Sequence, residues 1–138
     1  MSEGATHAVS EHAGELEVEL FAPTQAELFA EAARTLAEVI AGAVPAAIGA
    51  THHVALQARD RDSLLVAWLN ELVLLGERDG CVYGDVVIDE LTDGRLRATL
   101  RGAPLLAPRT QVKAATFHGL RMRSSPIGGV TATVMLDV

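Results

Sequence analysis

One cysteine, Cys81, is all this sequence holds, which excludes an internal disulfide and any cysteine-rich metal cluster. Aromatic residues make up only 4% against 49% apolar overall, so Ala, Val and Leu must carry the packing. Positive charge is also short. Eleven Lys and Arg stand against 18 Asp and Glu, a net charge of -7. That argues against direct strong nucleic-acid binding, because neutralising phosphates needs Lys and Arg; it suits an acidic protein meeting a basic partner. No apolar run is long enough to cross a bilayer, and the opening MSEGATHAVSEHAG lacks the basic start and apolar stretch of a secretory signal. No membrane association is expected, and the cytoplasm is the expected location. Gly-rich phosphate loops, a GxSxG elbow, HExxH and CxxC are all missing, so no stand-alone catalytic motif is present.

What is present starts with LLVAWLNELVLL at 64–75. Leu65, Trp68, Leu69, Leu72 and Leu75 form a helical stripe, and Leu64, Val66, Val73 and Leu74 widen it until only Asn70 and Glu71 interrupt it. A helix apolar nearly all round belongs in a core, with Trp68 as a packing anchor, Asp62 as its expected N-cap and Gly76 as its expected stop. Before it, residues 1–9 read as a loose tail. Glu15 to Leu20 alternates strictly, as a strand with one face in the core does. Thr24 and Glu27 have capping-box spacing at the head of a helix that runs toward Gly42. Residues 43–50 are a connection, and His52 to Arg59 is a strand. Val82 to Leu91 and Arg95 to Leu100 are strands joined at Asp93-Gly94, a strong hairpin signal. Residues 102–109 read as a loop, Val112 to Arg123 as a strand, and Val130 to Val138 as the last. Two helices among about six strands, in 138 residues, define a single α+β domain with mostly antiparallel sheet.

Strand parity sorts the polar residues. Glu15, Glu17 and Glu19 lie opposite Leu16, Val18 and Leu20; Asp137 shares the polar face of the last strand; Lys113 lies opposite Val112 and Ala114. Were those strands neighbours, Glu15, Asp137 and Lys113 would form one polar site, and hard divalent cations want such oxygen ligands. A solvated sheet face with a surface ion pair is the alternative. His118 shares parity with apolar positions and reads as a hydrogen-bonded core histidine, with a functional role near the metal or partner, alongside Lys113 and His12, as its alternative. His12 is freer to act. His52 and His53 point to opposite faces and cannot chelate one ion together, and Cys81 reads as a packed thiol.

Taken together, LLVAWLNELVLL at 64–75, VKAATFHGL at 112–120 and the closing VMLDV at 134–138 resemble the archease family. The stretch EHAGELEVELFAPTQAELFAEA at 11–32 is similar to that family's DHTAD strand and following helix. The resemblance implies an archease-like domain over 10–138 and an accessory protein rather than an enzyme. Its partner would be an RtcB-type RNA ligase, whose guanylylation and multiple turnover in tRNA splicing and RNA repair it would promote. It also implies a divalent cation, calcium first and magnesium or manganese next, held by Glu15, Asp137 and Val138, with Lys113 as a functional residue. Some positions depart from the family pattern. Glu15 stands for Asp and adds a methylene, Ala13 and Glu17 stand for Thr and Gly, Gln111 stands for Glu, and the loop before it is short and lacks an Arg-His pair. With the chain ending at Val138, a terminal carboxylate would add negative charge beside Asp137. Two rival expectations differ in class: a metal-dependent phosphoesterase using the same carboxylates with His12, and a general chaperone or binding module with a structural metal.

Overall fold

The computed structural model of the chain describes residues 4–138. The alternation at the start of the chain becomes β2 (Glu15–Ala22), with Leu16, Val18, Leu20 and Ala22 buried. A strand precedes it, β1 (Thr6–His12), paired antiparallel from Thr6↔Phe21 to His12↔Glu15. The loose tail expected over 1–9 therefore does not extend to residues 6–9, and residues 1–3 lie outside the described residues. β1 escapes a periodicity reading because it is an edge strand with almost no buried side chain; its order comes from the ladder to β2.

α1 (Gln25–Ala41) starts and stops where its caps require. The Glu27 amide donates to Thr24 Oγ1 at 3.2 Å, and Gly42 takes φ 86° to end the helix. After β3 (Thr51–Gln57) comes α2 (Arg61–Asp79), longer at both ends than its apolar stripe suggested. The N-cap is Asp60 rather than Asp62, accepting from the Ser63 amide at 2.7 Å, and the stop is Gly80 at φ 65° rather than Gly76. Gly76 serves packing instead. A Cβ there would stand 2.7 Å from the Cys81 carbonyl oxygen, so glycine lets β4 (Cys81–Leu91) fold back across the helix's last turn.

β4 turns through Asp93-Gly94 into β5 (Arg95–Pro104), which continues past the expected end at Leu100 and pairs Pro104 with Cys81. Part of the expected 102–109 loop is thus strand. β6 (Ala114–Ser124) and β7 (Val130–Asp137) form the closing hairpin. The strand order is β1-β2-β7-β6 in one sheet and β3-β5-β4 in the other. Both sheets turn apolar faces toward one core. Val18, Leu20, Val134 and Leu136 come from the first, Val54, Leu96 and Leu100 from the second, around Leu64, Leu65, Trp68, Leu69 and Leu72 of α2. Trp68 is fully buried and its indole N–H donates to the Phe29 carbonyl at 2.9 Å, which removes the cost of burying that donor. Among the described residues, two helices and seven strands in antiparallel sheets make this an α+β domain.

Candidate cation and partner site

β2 and β7 come from opposite ends of the chain and lie side by side. Their register sets Glu15 directly across from Asp137, with Leu16 across from Leu136 on the buried side. Directly opposed residues hold their Cβ atoms about 4.5–5.5 Å apart, so the two carboxyl groups share one patch on the solvent side. The half-buried Glu15 and the exposed Asp137 follow from the same parity that buries their neighbours. The backbone closes around the pair. The Val138 amide donates to the Gly14 carbonyl at 3.2 Å and the Lys113 amide donates to the Asp137 carbonyl at 2.8 Å. His12 lies across from Glu15 on the far side, its Nε2 3.7 Å from Glu17 Oε1. Glu15, Asp137, Val138, Lys113 and His12 thus gather at one end of the four-stranded sheet.

Among the described residues no ion pair engages Glu15, Asp137 or Lys113, and no three His, Cys, Asp or Glu side chains converge as a closed metal cage. Two adjacent carboxylates with free oxygens, flanked by main-chain carbonyls, fit a hard, oxygen-seeking cation that completes its shell with water. They do not fit a tetrahedral nitrogen–sulfur site.

His118 does not belong to this group, nor to the core. Thr116 pairs with Met135 and Arg121 with Thr133, so residues 117–120 of β6 bulge against Val134 alone. Gly119 takes φ 66° in that bulge, the alternation is lost, and both Phe117 and His118 are exposed. The same shift turns Ala114 outward, across from Asp137, where simple alternation had placed it inward. The sequence carried one sign of this, a glycine within a strand pattern, which marks bulges.

Two other residues shape the site without a periodicity signal. Asn70, the one amide in the apolar helix, donates from Nδ2 to the Ala115 carbonyl (3.1 Å) and accepts the Ala115 amide on Oδ1 (2.7 Å), pinning the start of β6 beside Asp137. His7 fastens β1 to α1. Its Nδ1 lies 2.7 Å from Glu31 Oε2 and its Nε2 3.2 Å from Glu38 Oε2, while the buried Glu31 also receives the Arg34 guanidinium. A buried carboxylate needs such partners, since an unpaired one is costly.

At the far end of α2, the Arg78 guanidinium and then the Tyr83 hydroxyl hydrogen-bond Asp79 and hold its carboxyl down at about 2. Burial first, then that hydrogen bond to Asp79, pushes the Tyr83 phenol up, and burial likewise pushes up the Cys81 thiol, as a packed rather than reactive cysteine requires. A cavity of about 350 Å³ lies here between α1, α2 and the 105–112 loop, lined chiefly by Leu36, Ile40, Leu72, Val73 and Val112. Glu77, Tyr83, Thr110 and Gln111 add polar groups to its wall, and it does not include the Glu15–Asp137 pair.

The fold and this patch define a class: a small two-sheet α+β module whose second and last strands meet to set two carboxylates side by side on an open sheet face. The archease protein family model matches residues 7–138, and the chain belongs to that family. It is 30% identical over 135 residues to protein archease of Thermococcus gammatolerans, covering 93% of this chain and 95% of the relative. It is 28% identical over 145 residues to protein archease of Methanosarcina mazei, covering 99% of each. The solution structure of Methanobacterium thermoautotrophicum protein 1598 superposes with a TM-score of 0.74 at 27% identity, covering 96% of this chain and 98% of that one. A Thermotoga maritima archease, described as a possible chaperone, shares the fold with a TM-score of 0.65 at 19% identity over 94% of each chain. No helix among the described residues is long and apolar enough to cross a membrane.

Proposed function

We propose that this archease is an accessory protein of an RtcB-type RNA ligase, promoting its guanylylation and repeated turnover rather than joining RNA itself. The observation that supports the reading is the Glu15↔Asp137 register, which sets side by side two of the carboxylates that the family resemblance marked. Glu15, Asp137 and the Val138 main-chain oxygen hold a divalent cation, calcium by preference. Bound there, the cation supplies positive charge for nucleotide phosphates at the junction with the ligase. Lys113, exposed and next to the Asp137 carbonyl, contacts a phosphate or a partner carboxylate. The surplus of acids over bases on the rest of the surface steers the domain toward a basic face of the ligase.

The test is a ligation assay with the ligase of the same organism, limiting enzyme and excess RNA. Wild-type protein should convert single turnover into many, Glu15→Gln with Asp137→Asn should not, and calorimetry should show calcium binding lost in that variant. Wild-type protein that leaves turnover unchanged overturns the reading.

A further inference from the structure

β1 is the outer strand of its sheet, and its free edge is unguarded. The Val138 amide bonds the Gly14 carbonyl, so even-numbered residues of β2 turn their main chain toward β7, and Glu15, Glu17 and Glu19 turn theirs toward β1. The β1 residues paired with those three, His12, Ser10 and Ala8, use their backbone groups in that ladder. The N–H and C=O groups of His7, Val9 and Glu11 point the other way, and among the described residues no other main-chain group bonds them. Edge strands are commonly blunted by lysine, proline or a bulge. β1, THAVSEH, has none of these. Its register with β2 runs unbroken from Thr6 to His12, and every residue in it but His7 is exposed.

We infer that β1 accepts an extended peptide segment as a fifth strand, one with Lys or Arg at alternate positions and apolar residues between them. Neighbouring strands lie about 4.8 Å apart, which puts the added strand roughly 10 Å from β2. On the outer face β1 shows Thr6, Ala8 and Ser10, short residues beside Phe21, Glu19 and Glu17. Basic side chains of the added strand lean across Ala8 and Ser10 to those two glutamates. Among the described residues Glu19 has no ion pair, and Glu17 has only His12, at 3.7 Å. The apolar side chains between them fall on the other face, beside Val9, which is 42% exposed, and cover it. A second copy of this chain does not suit the edge, because its own β1 brings no lysine or arginine and its β2 adds another column of glutamates. Nucleic acid does not suit it either, since the same acids repel phosphate. Main-chain pairing gives such a complex its affinity, and the alternating side chains give it specificity.

The test is fluorescence anisotropy with the full chain and a labelled peptide as long as β1, seven residues, alternating Lys and Val. That peptide should bind. One of the same composition with its lysines in a single block should bind at least about tenfold more weakly, and one alternating Glu and Val should not bind. Val9→Pro removes an outward N–H but no bond to β2 and should abolish binding. Glu17→Gln with Glu19→Gln should weaken it about tenfold, with circular dichroism melts confirming that both variants fold. On the wild-type protein, NMR hydrogen exchange should show the Val9 and Glu11 amides protected when the alternating peptide is added. An alternating peptide that fails to bind overturns the inference. So does equal binding of the blocked peptide, unchanged affinity in folded Val9→Pro, or Val9 and Glu11 amides that stay unprotected. Neither cation nor ligase takes part, so this outcome is separate from that of the ligation assay.

Discussion

The two sheets use the same polar vocabulary on their outer faces and arrange it differently. In the three-stranded sheet opposite charges face each other across the ladder: Asp85 is paired with Arg101 and Glu90 with Arg97, whose Nε lies 3.9 Å from the Glu90 carboxylate. Between them Thr99 donates its hydroxyl to Asp89 at 2.7 Å and has His53 Nδ1 at 3.2 Å. In the four-stranded sheet the acids of β2 and the bases of β6 are kept apart by β7. One face sets its acids opposite bases, with an ion pair at Glu90–Arg97. The other leaves charges unmet, and unmet charge at opposed cross-strand positions is unfavourable unless a cation or a partner completes it. The sheet that is electrostatically worse finished is where the candidate function lies.

If that contrast is confined to the outer faces, the inner faces should behave alike. Leu136→Ala in the first sheet and Leu100→Ala in the second, both essentially buried, should each cost about 2–5 kcal/mol, read from urea unfolding. A marked inequality would mean that one sheet is peripheral to the core. The next effect belongs to the unfinished face alone. A cation at a hundredfold excess over its dissociation constant should add about 2.7 kcal/mol to stability. Asp137→Asn should remove that gain, while Arg97→Ala in the other sheet leaves it intact. Asn70→Ala sharpens the picture from the inside, since it strips the Ala115 amide and carbonyl of their partners. It should cost about 1–3 kcal/mol and weaken cation binding through the shifted start of β6. Arg97→Ala itself should change stability by no more than about 1 kcal/mol, because an exposed pair contributes little. The smallest effect lies in acid. The Asp79 carboxyl, held at about 2 by Arg78 and Tyr83, is lower when folded than the roughly 3.9 of an unfolded chain. Its contribution is present above the unfolded value and is lost as pH falls through the folded one. Carbon-detected NMR titration should show it, and Tyr83→Phe should move the Asp79 midpoint upward.

Where local chemistry decides, the chain is legible residue by residue. Thr24 with Glu27 caps α1, Asp93-Gly94 turns the β4–β5 hairpin, and the Glu15–Leu20 alternation yields β2 with the expected face buried. The errors fall where a second element intervenes. Gly76 looks like a stop because glycine usually is one, yet it is the spacer that lets Cys81 approach. His118 counts as buried only while the strand keeps step, and the 117–120 bulge ends that. β1 has no apolar alternation to read; His7 and the ladder to β2 hold it in place.

By itself, then, the order of residues determined both helices and every strand but β1, which sides of β2 and β7 are wet, and that acids would stand on the wet side of those two strands. Periodicity, caps and turn residues act within a few positions of one another, and that range covers all of this. Only the tertiary structure decided that β2 and β7 are neighbours, that Glu15 faces Asp137, and that β7 parts the acids from the bases. The β2–β7 contacts among these join residues more than a hundred positions apart. They are chosen by which arrangement buries both apolar faces against α2, and no local pattern encodes that choice.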